Sequence, residues 1–409
     1  MSDQMTLTAI QALEDQHTSG AYSKRPLTLV RGAGCTVWDD QGNAYLDATS
    51  GQGVALLGHS HPAVAAAVAE QAATLITCPE IFYNDRRAEL YALLTEILPD
   101  DLNRFFLCNS GAEAIEGALK AARLLTGRTG IVAARRGFHG RTLGALGLTW
   151  NRDYREPFEG WTTPVTHITP NDIEGLETSI TEATAAVVVE AVQGEGGVHI
   201  ADAAWLQALR RRCDETGALL VLDEIQTGLG RTGRWFGFQH ADITPDIVAL
   251  GKGLAGGIPM GAVAWRGSLG TLPSGSHGST FGGNPLACAT AIASLTALRD
   301  LDAPGMAAEA GQWLQDDLGI RLETGMLTGV REIRGIGLMI GLELRGRVTP
   351  VLQRLQSLGV LALPAGKTVL RLLPPLTITQ EELFHLADAV QRALTDDGIG
   401  HNNRPEEQS

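Results

Sequence analysis

Apolar residues in the middle of this chain fall into short unbroken runs that stop at a polar residue or a glycine. Leu219-Leu220-Val221-Leu222, preceded by Gly217 and closed by Asp223-Glu224, is the clearest of them. Such a run predicts a strand buried on both faces of a parallel sheet. Arg104-Phe105-Phe106-Leu107-Cys108, Gly130-Ile131-Val132-Ala133-Ala134 and Ala185-Ala186-Val187-Val188-Val189 read the same way, with helix-forming stretches between them. Strands alternating with helices predict an α/β domain around a mainly parallel sheet.

The ends of the chain carry a different pattern. Residues 1 to about 20 predict an amphipathic helical lead ending at Gly20. Three short β-like runs, at 27–30, 35–38 and 44–47, are separated by Gly, Asp and Asn clusters and predict an antiparallel meander. Ser50-Gly51-Gln52-Gly53 lets the backbone approach a neighbour closely, and Pro62 opens an alanine-rich helix. Beyond Leu301-Asp302-Ala303-Pro304-Gly305 the chain passes into a carboxyl-terminal part, with strand-like runs at 334–344 and 369–376. The polar stretch 398–409 predicts a disordered tail. The expected organisation is a large domain over 56–300 and a smaller one from 1–55 and 301–397.

Composition narrows the function. With 409 residues, 44% hydrophobic and 19% charged, the chain can bury a large core, and two domains are expected. A net charge of −14 argues against nucleic acid as a partner, since Arg135-Arg136 and Arg210-Arg211-Arg212 are short runs. Cys35, Cys78, Cys108, Cys213 and Cys288 are scattered, as reduced core thiols are, and imply neither a disulfide frame nor a zinc site. His59 and His61 lack a third ligand and are read as capping and packing residues, so no metal is expected. Without an apolar leader or a run of roughly 20 apolar residues, a cytoplasmic protein with no membrane contact is expected.

The candidate chemistry lies at the strand ends. Ligands of open α/β sheets bind outside the carboxyl ends of the strands, which places Asp223 to meet a cationic ring nitrogen and Lys252 to offer an amine. A lysine able to form a Schiff base, paired with an acid for a pyridinium nitrogen, suggests pyridoxal phosphate. Ser110-Gly111 turns a strand into a helix and can seat a phosphate, although capping alone explains Ser110 equally well. Phe138 can stack on a planar ring and Arg141 can hold a carboxylate; the alternatives are a core phenylalanine and a solvated arginine. Arg371 interrupts an apolar run, where a charge is costly unless paired.

Taken together, Asn109-Ser110-Gly111-Ala112-Glu113-Ala114, Phe138-His139-Gly140-Arg141-Thr142, Gln193-Gly194-Glu195-Gly196-Gly197, Asp223-Glu224-Ile225-Gln226-Thr227-Gly228, Lys252, Ser279-Thr280-Phe281-Gly282-Gly283-Asn284-Pro285 and Arg371 closely resemble the class III, or ornithine-type, pyridoxal phosphate aminotransferases. Within that class the chain is most similar to the N-acetylornithine aminotransferases and to the enzymes that transaminate aminoadipate semialdehyde attached to LysW, a small acidic carrier. The resemblance implies the fold type I transferase architecture and a homodimer. It also implies roles. Lys252 forms the Schiff base and moves the proton, Asp223 pairs with the ring nitrogen, Gln226 meets the ring hydroxyl, and Phe138 stacks on the ring. Glu224 and Ile225 flank the cofactor, while Ser110, Gly111 and Ala112 hold its phosphate with Thr280 of the other subunit. Arg371 grips the α-carboxylate of glutamate, with Glu195 as its partner when a substrate lacks that group, and Arg141 and Ser279 position the N-blocked substrate. Three departures accompany it: Ala112 stands where many relatives carry Thr, Gln52 where ornithine aminotransferases carry Tyr, and Ala191 where Pro is usual. An aminomutase or decarboxylase on the same scaffold needs no alternating carboxylate grip, and the Arg371 and Glu195 pair speaks against it.

Overall fold

Seven strands form the main sheet, in the order Leu102–Cys108, Gly261–Arg266, Ile247–Leu250, Leu219–Asp223, Thr184–Val189, Gly130–Ala134 and Thr166–Ile168. The structure is a computed structural model that describes residues 7–395; the stretch 398–409 lies outside the described residues. Gly261–Arg266 runs antiparallel to both its neighbours, and the pairings from Ile247–Leu250 to Thr166–Ile168 are parallel. All residues of Thr184–Val189, Leu219–Asp223 and Ile247–Leu250 are buried. Alternate side chains enter opposite cores: Val187, Val189, Leu220 and Leu222 join one, and Ala186, Val188, Leu219 and Val221 the other. At roughly 1.5–3 kcal/mol for each fully buried large aliphatic side chain, this slab fixes where the strands end.

The two chain ends share a sheet. Leu29–Ala33, Thr36–Asp39 and Ala44–Asp47 form the expected meander, and Val360–Leu361 adds to it in parallel with Val360 opposite Leu46. Four further strands, Val330–Ile336, Met339–Leu344, Val369–Leu372 and Leu363–Ala365, form a second small sheet. The run 334–344, expected as one strand-like stretch, is a hairpin that turns at Gly337, where φ is +54°. Backbone crowding forces the glycine there: a Cβ on Gly337 would lie 2.5 Å from the Arg231 carbonyl oxygen. Apolar residues on both arms hide that turn in the sequence.

Two smaller expectations are adjusted. Cys35, Cys108, Cys213 and Cys288 are buried, but Cys78 is partly exposed in a loop; all five are free thiols. His59 Nε2 lies 2.7 Å from Asp47 Oδ2, while His61 precedes the helix Pro62–Thr74 without capping it through its side chain. Among the described residues no group of three His, Cys, Asp or Glu could hold a metal ion, and no helix is long and apolar enough to cross a membrane.

Candidate active site

Leu219–Asp223, Thr184–Val189 and Gly130–Ala134 are parallel neighbours, so their carboxyl ends open on one edge of the sheet. Asp223 ends the central strand, 4% exposed, with Oδ2 2.7 Å from Nδ1 of His139. His139 is buried in the loop after Gly130–Ala134, where its own N–H donates to Thr149 Oγ1 at 3.0 Å. Burial opposes protonation of this imidazole, but the hydrogen bond and charge of Asp223, with Glu190 beyond, hold its pKa above the ordinary value. Glu190, just after Thr184–Val189, is pushed well above the carboxylate range by burial, and its Oε2 accepts the Phe138 N–H at 3.3 Å. His139 and Glu190 were not among the expected site residues. The sequence signals were a histidine in the loop after one strand and a carboxylate at the end of another, 84 and fewer positions from Asp223, with nothing to pair them.

Lys252 opens a short turn after Ile247–Leu250 with φ at +44°, a region non-glycine residues seldom adopt. The glycines around it let three backbones converge. A Cβ on Gly251 would sit 3.1 Å from Gly111 Cα, and one on Gly53 3.9 Å from Lys252 Cδ and 3.8 Å from Gln226 Cγ. Lys252 thus stands between the first turn of the helix Gly111–Thr126 and the Gly53 turn. Its amine has no hydrogen-bond or ion-pair partner among the described residues. Burial, then the charge of Arg371, lowers its pKa, while Glu195, Asp223 and Glu190 pull the other way.

The helix Gly111–Thr126 supplies the anion seat. Ser110 caps it by accepting the Glu113 N–H at 3.2 Å, and the Gly111 and Ala112 N–H groups have no partners among the described residues. Space there is tight: a Cβ on Gly111 would meet Ile225 Cγ2 at 2.8 Å, and one on Gly140 would meet the Ala112 Cβ at 2.9 Å. Across the opening, Arg371 is 2% exposed, with Nη2 2.6 Å from Glu195 Oε1 and Nη1 3.2 Å from Gln226 Oε1. A Cβ on Gly194 would lie 2.1 Å from Gln226 Oε1 and would displace that amide from its place beside Arg371.

The remaining residues divide. Phe138 meets the Tyr154 ring edge-on with centroids 6.3 Å apart, and the exposed Arg141 guanidinium lies 3.5 Å from the Tyr154 centroid. Ser279 Oγ accepts the Asn109 Nδ2–H at 3.0 Å, which brings its loop to the helix start. Two side chains are not brought into the cluster. Glu224 faces away, accepting from Thr227 Oγ1 at 2.6 Å and from the Gly237 and Phe238 N–H groups at 2.9 Å. Thr280 is exposed on the surface.

Pyridoxal phosphate fits these groups: free helix N–H groups for its phosphate, a buried carboxylate for its ring nitrogen, and an unpartnered amine for its aldehyde. The chain matches the family described as Aminotransferase class-III over residues 18–394. It belongs to that family. This aminotransferase is 45% identical over 387 residues to the [LysW]-aminoadipate semialdehyde transaminase of Deinococcus radiodurans, covering 94% of this chain and 89% of that one. It is 45% identical over 386 residues to the acetylornithine aminotransferase of Methanopyrus kandleri, covering 93% and 98%. Among solved structures it resembles the ornithine aminotransferase of Toxoplasma gondii at TM-score 0.90 and 33% identity, covering 96% and 95%. The acetylornithine aminotransferase of Elizabethkingia anophelis matches at TM-score 0.84 and 30% identity, covering 95% and 99%. The aminotransferase is therefore a pyridoxal phosphate enzyme of the fold type I architecture.

Proposed function

We propose that this aminotransferase passes a terminal amino group between glutamate and the semialdehyde of an N-blocked amino acid, with aminoadipate semialdehyde on an acidic carrier such as LysW as the main substrate. The observation that carries the reading is the Arg371–Glu195 pair at 2.6 Å next to Gln226 and the Lys252 cleft. An arginine with a detachable partner serves both half-reactions. An incoming α-carboxylate displaces Glu195, and a substrate without one there leaves the buried charge neutralised.

Pyridoxal phosphate, when bound, supplies the aldehyde and the electron-withdrawing ring. The chain supplies the rest. Lys252 Nζ offers an amine whose pKa is lowered by burial, and it would move the proton at the substrate carbon. Asp223, held in orientation by His139, would face the ring nitrogen. Gln226 would meet the ring hydroxyl, Phe138 would stack on the ring, and Ser110, Gly111 and Ala112 would hold the phosphate, with Ile225 beside them. Arg141 and Ser279 face the N-blocked substrate. Glu224 acts at one remove by bracing the Asp223 loop.

Thr280 completes the phosphate seat of a second copy in a homodimer. Its neighbour Phe281 is 62% exposed, and Ile81, Phe82 and Tyr83 are exposed on a loop that Arg87 ties to Gly283 through hydrogen bonds to Gly283, Phe82 and Cys78 carbonyls. An apolar surface of this kind is suited to a partner. We place the small domain at 1–55 and 301–397 around the large domain 56–300, and the enzyme in the cytoplasm.

Acetylornithine is the second reading, favoured by equal identity to the M. kandleri enzyme. Glutamate mixed with the holoenzyme should release 2-oxoglutarate. Rates with carrier-linked and with acetylated substrate, at two salt concentrations, then separate the readings. A carrier-linked rate that leads at low salt and falls as salt rises supports the first, with Arg135, Arg136, Arg152 and Arg155 as the attracting rim. A faster acetylated substrate at both salts supports the second, and no 2-oxoglutarate at all refutes both.

A further inference from the structure

The turn that carries Glu195 is seated on the small sheet by more than the Glu195 side chain. It joins Val192–Gln193 to His199–Ile200, which pair antiparallel, and the Val198 N–H donates to the Gln193 carbonyl at 2.8 Å across it. In the small sheet Arg334 lies opposite Gly341, and Gly341 lies opposite Arg371, so the two arginines share one face with a glycine between them. Both reach the same turn. Arg371 Nη2 meets the Glu195 carboxylate, and Arg334 Nε donates to the Gly197 carbonyl at 2.8 Å.

Val198 fills the notch between the arginines. A Cβ on Gly341 would lie 2.9 Å from Val198 Cβ, and Val198 is fully buried with φ at +57°, a costly conformation for a β-branched residue. Neighbours on every side hold it there. A Cβ on Gly196 would lie 2.4 Å from the Arg136 carbonyl oxygen, and one on Gly197 would lie 3.1 Å from His199 Nε2. Gln193 Nε2 donates to the Arg135 carbonyl at 2.7 Å where the turn begins. Arg334 is aimed from two sides, with Nη1 on Glu332 Oε2 and Nη2 on Glu343 Oε2, each at 2.9 Å. Thr368 Oγ1 donates to the other Glu343 oxygen at 2.8 Å. The backbone of the turn is thus clamped, while the Glu195 side chain, 38% exposed, keeps room to move.

We propose that Arg334 is a positioning residue for the exchange of substrates: by clamping the Gly197 carbonyl it keeps the turn on the small sheet, so that Glu195 leaves and regains Arg371 by side-chain rotation alone. The inference rests on the functional reading above, in which Glu195 covers Arg371 whenever the substrate brings no α-carboxylate there. The side-chain partners of Arg334 are Gly197, Glu332 and Glu343, so it acts through Glu195.

Single-turnover rates of the holoenzyme with N-acetylornithine alone and with glutamate alone, followed by cofactor absorbance, test it. Arg334→Leu should lower the N-acetylornithine half-reaction about 3- to 10-fold, the net worth of one hydrogen bond, and leave the glutamate half-reaction within about twofold of wild type. Gly341→Ala presses on Val198 in the same notch without altering Arg334. It should bias the two rates in the same direction, and it carries the test if Arg334→Leu does not fold. In a Glu195→Gln background Arg334→Leu should cost less than about twofold more, because the bond it protects is already weakened. Glu332→Gln removes only an exposed ion pair and should leave both half-reactions at wild-type rates. Equal losses in both half-reactions, a Gly341→Ala variant without the bias, additive losses with Glu195→Gln, or a Glu332→Gln variant as poor as Arg334→Leu would each overturn the proposal alone. Wild-type enzyme that accepts glutamate but neither N-acetylornithine nor its carrier-linked counterpart would overturn the functional reading, and this inference with it.

Discussion

Glu195→Gln removes one negative charge from beside Arg371 and leaves an acceptor of the same shape. Arg371 is 2% exposed and its Nη2 is 2.6 Å from Glu195 Oε1, so the bond lost is a short, charge-assisted one. Hydrogen bonds to charged groups contribute roughly 1.5–3 kcal/mol. The lower half of that range applies, since the Glu195 side chain is 38% exposed and water compensates part of the change. About 1.5–2 kcal/mol corresponds to roughly a 10- to 30-fold change in a rate or binding constant. That loss should fall on the half-reaction with the terminal amine, where the other hydrogen-bond partner of Arg371 among the described residues is the neutral Gln226 amide at 3.2 Å. Glutamate brings its own carboxylate, and its half-reaction should stay within about twofold by the same argument. Single-turnover rates followed by cofactor absorbance, with each substrate alone, measure both. Parallel losses in the two half-reactions, or a larger loss with glutamate, would refute the idea of a shared arginine with a removable partner.

Glu224→Gln should destabilise the protein by about 2 kcal/mol in urea, because both carboxylate oxygens receive backbone N–H donors and an amide must turn an NH2 group toward one of them; an unchanged midpoint would contradict this. Gly194→Ala should weaken cofactor binding at least about tenfold by fluorescence titration of the apoprotein, as its Cβ would collide with Gln226 Oε1 at 2.1 Å, and wild-type affinity would count against it. The Lys252 amine should titrate below the ordinary value in differential labelling of the apoprotein, from burial and then from Arg371, and Arg371→Leu should move the midpoint upward. With a lowered folded-state pKa, the lysine makes stability rise with pH between that value and the unfolded one near 10.4, so a midpoint at or above the unfolded value would be contrary. His139→Leu should weaken cofactor binding, and should remove a stabilising term present below about pH 6.5 and lost as pH rises through the raised folded value; a pH-stability curve that overlays the wild type would argue against it.

Much of this architecture was legible because a strand buried on both faces has to be apolar throughout. Leu219–Asp223 and Gly130–Ala134 were readable to within a residue, and the polar group at each strand end marked the edge where the chemistry lies. The reversed strand Gly261–Arg266 carries no such mark, since a buried antiparallel strand has the same composition as a parallel one. Pairings across long separations were the other blind spot. Arg371 was expected to need a partner from the cost of its burial, but Glu195, 176 positions away, was supplied by the family resemblance. His139 and Asp223 are joined only by the way three strands line up, and neither residue alone signals the other. Glu224 misled for the opposite reason: it sits next to Asp223 in sequence, yet successive residues leaving a strand face opposite ways, and its carboxylate turns to Gly237 and Phe238.

The central claim is that the amine of Lys252 takes up the cofactor aldehyde. Borohydride reduction of the holoenzyme, followed by peptide mass mapping, tests it directly. One phosphopyridoxyl group per chain on the peptide containing Lys252, absent in Lys252→Ala, is the predicted result. A label on Lys24, Lys120 or Lys367 instead, or no label at all, would contradict it.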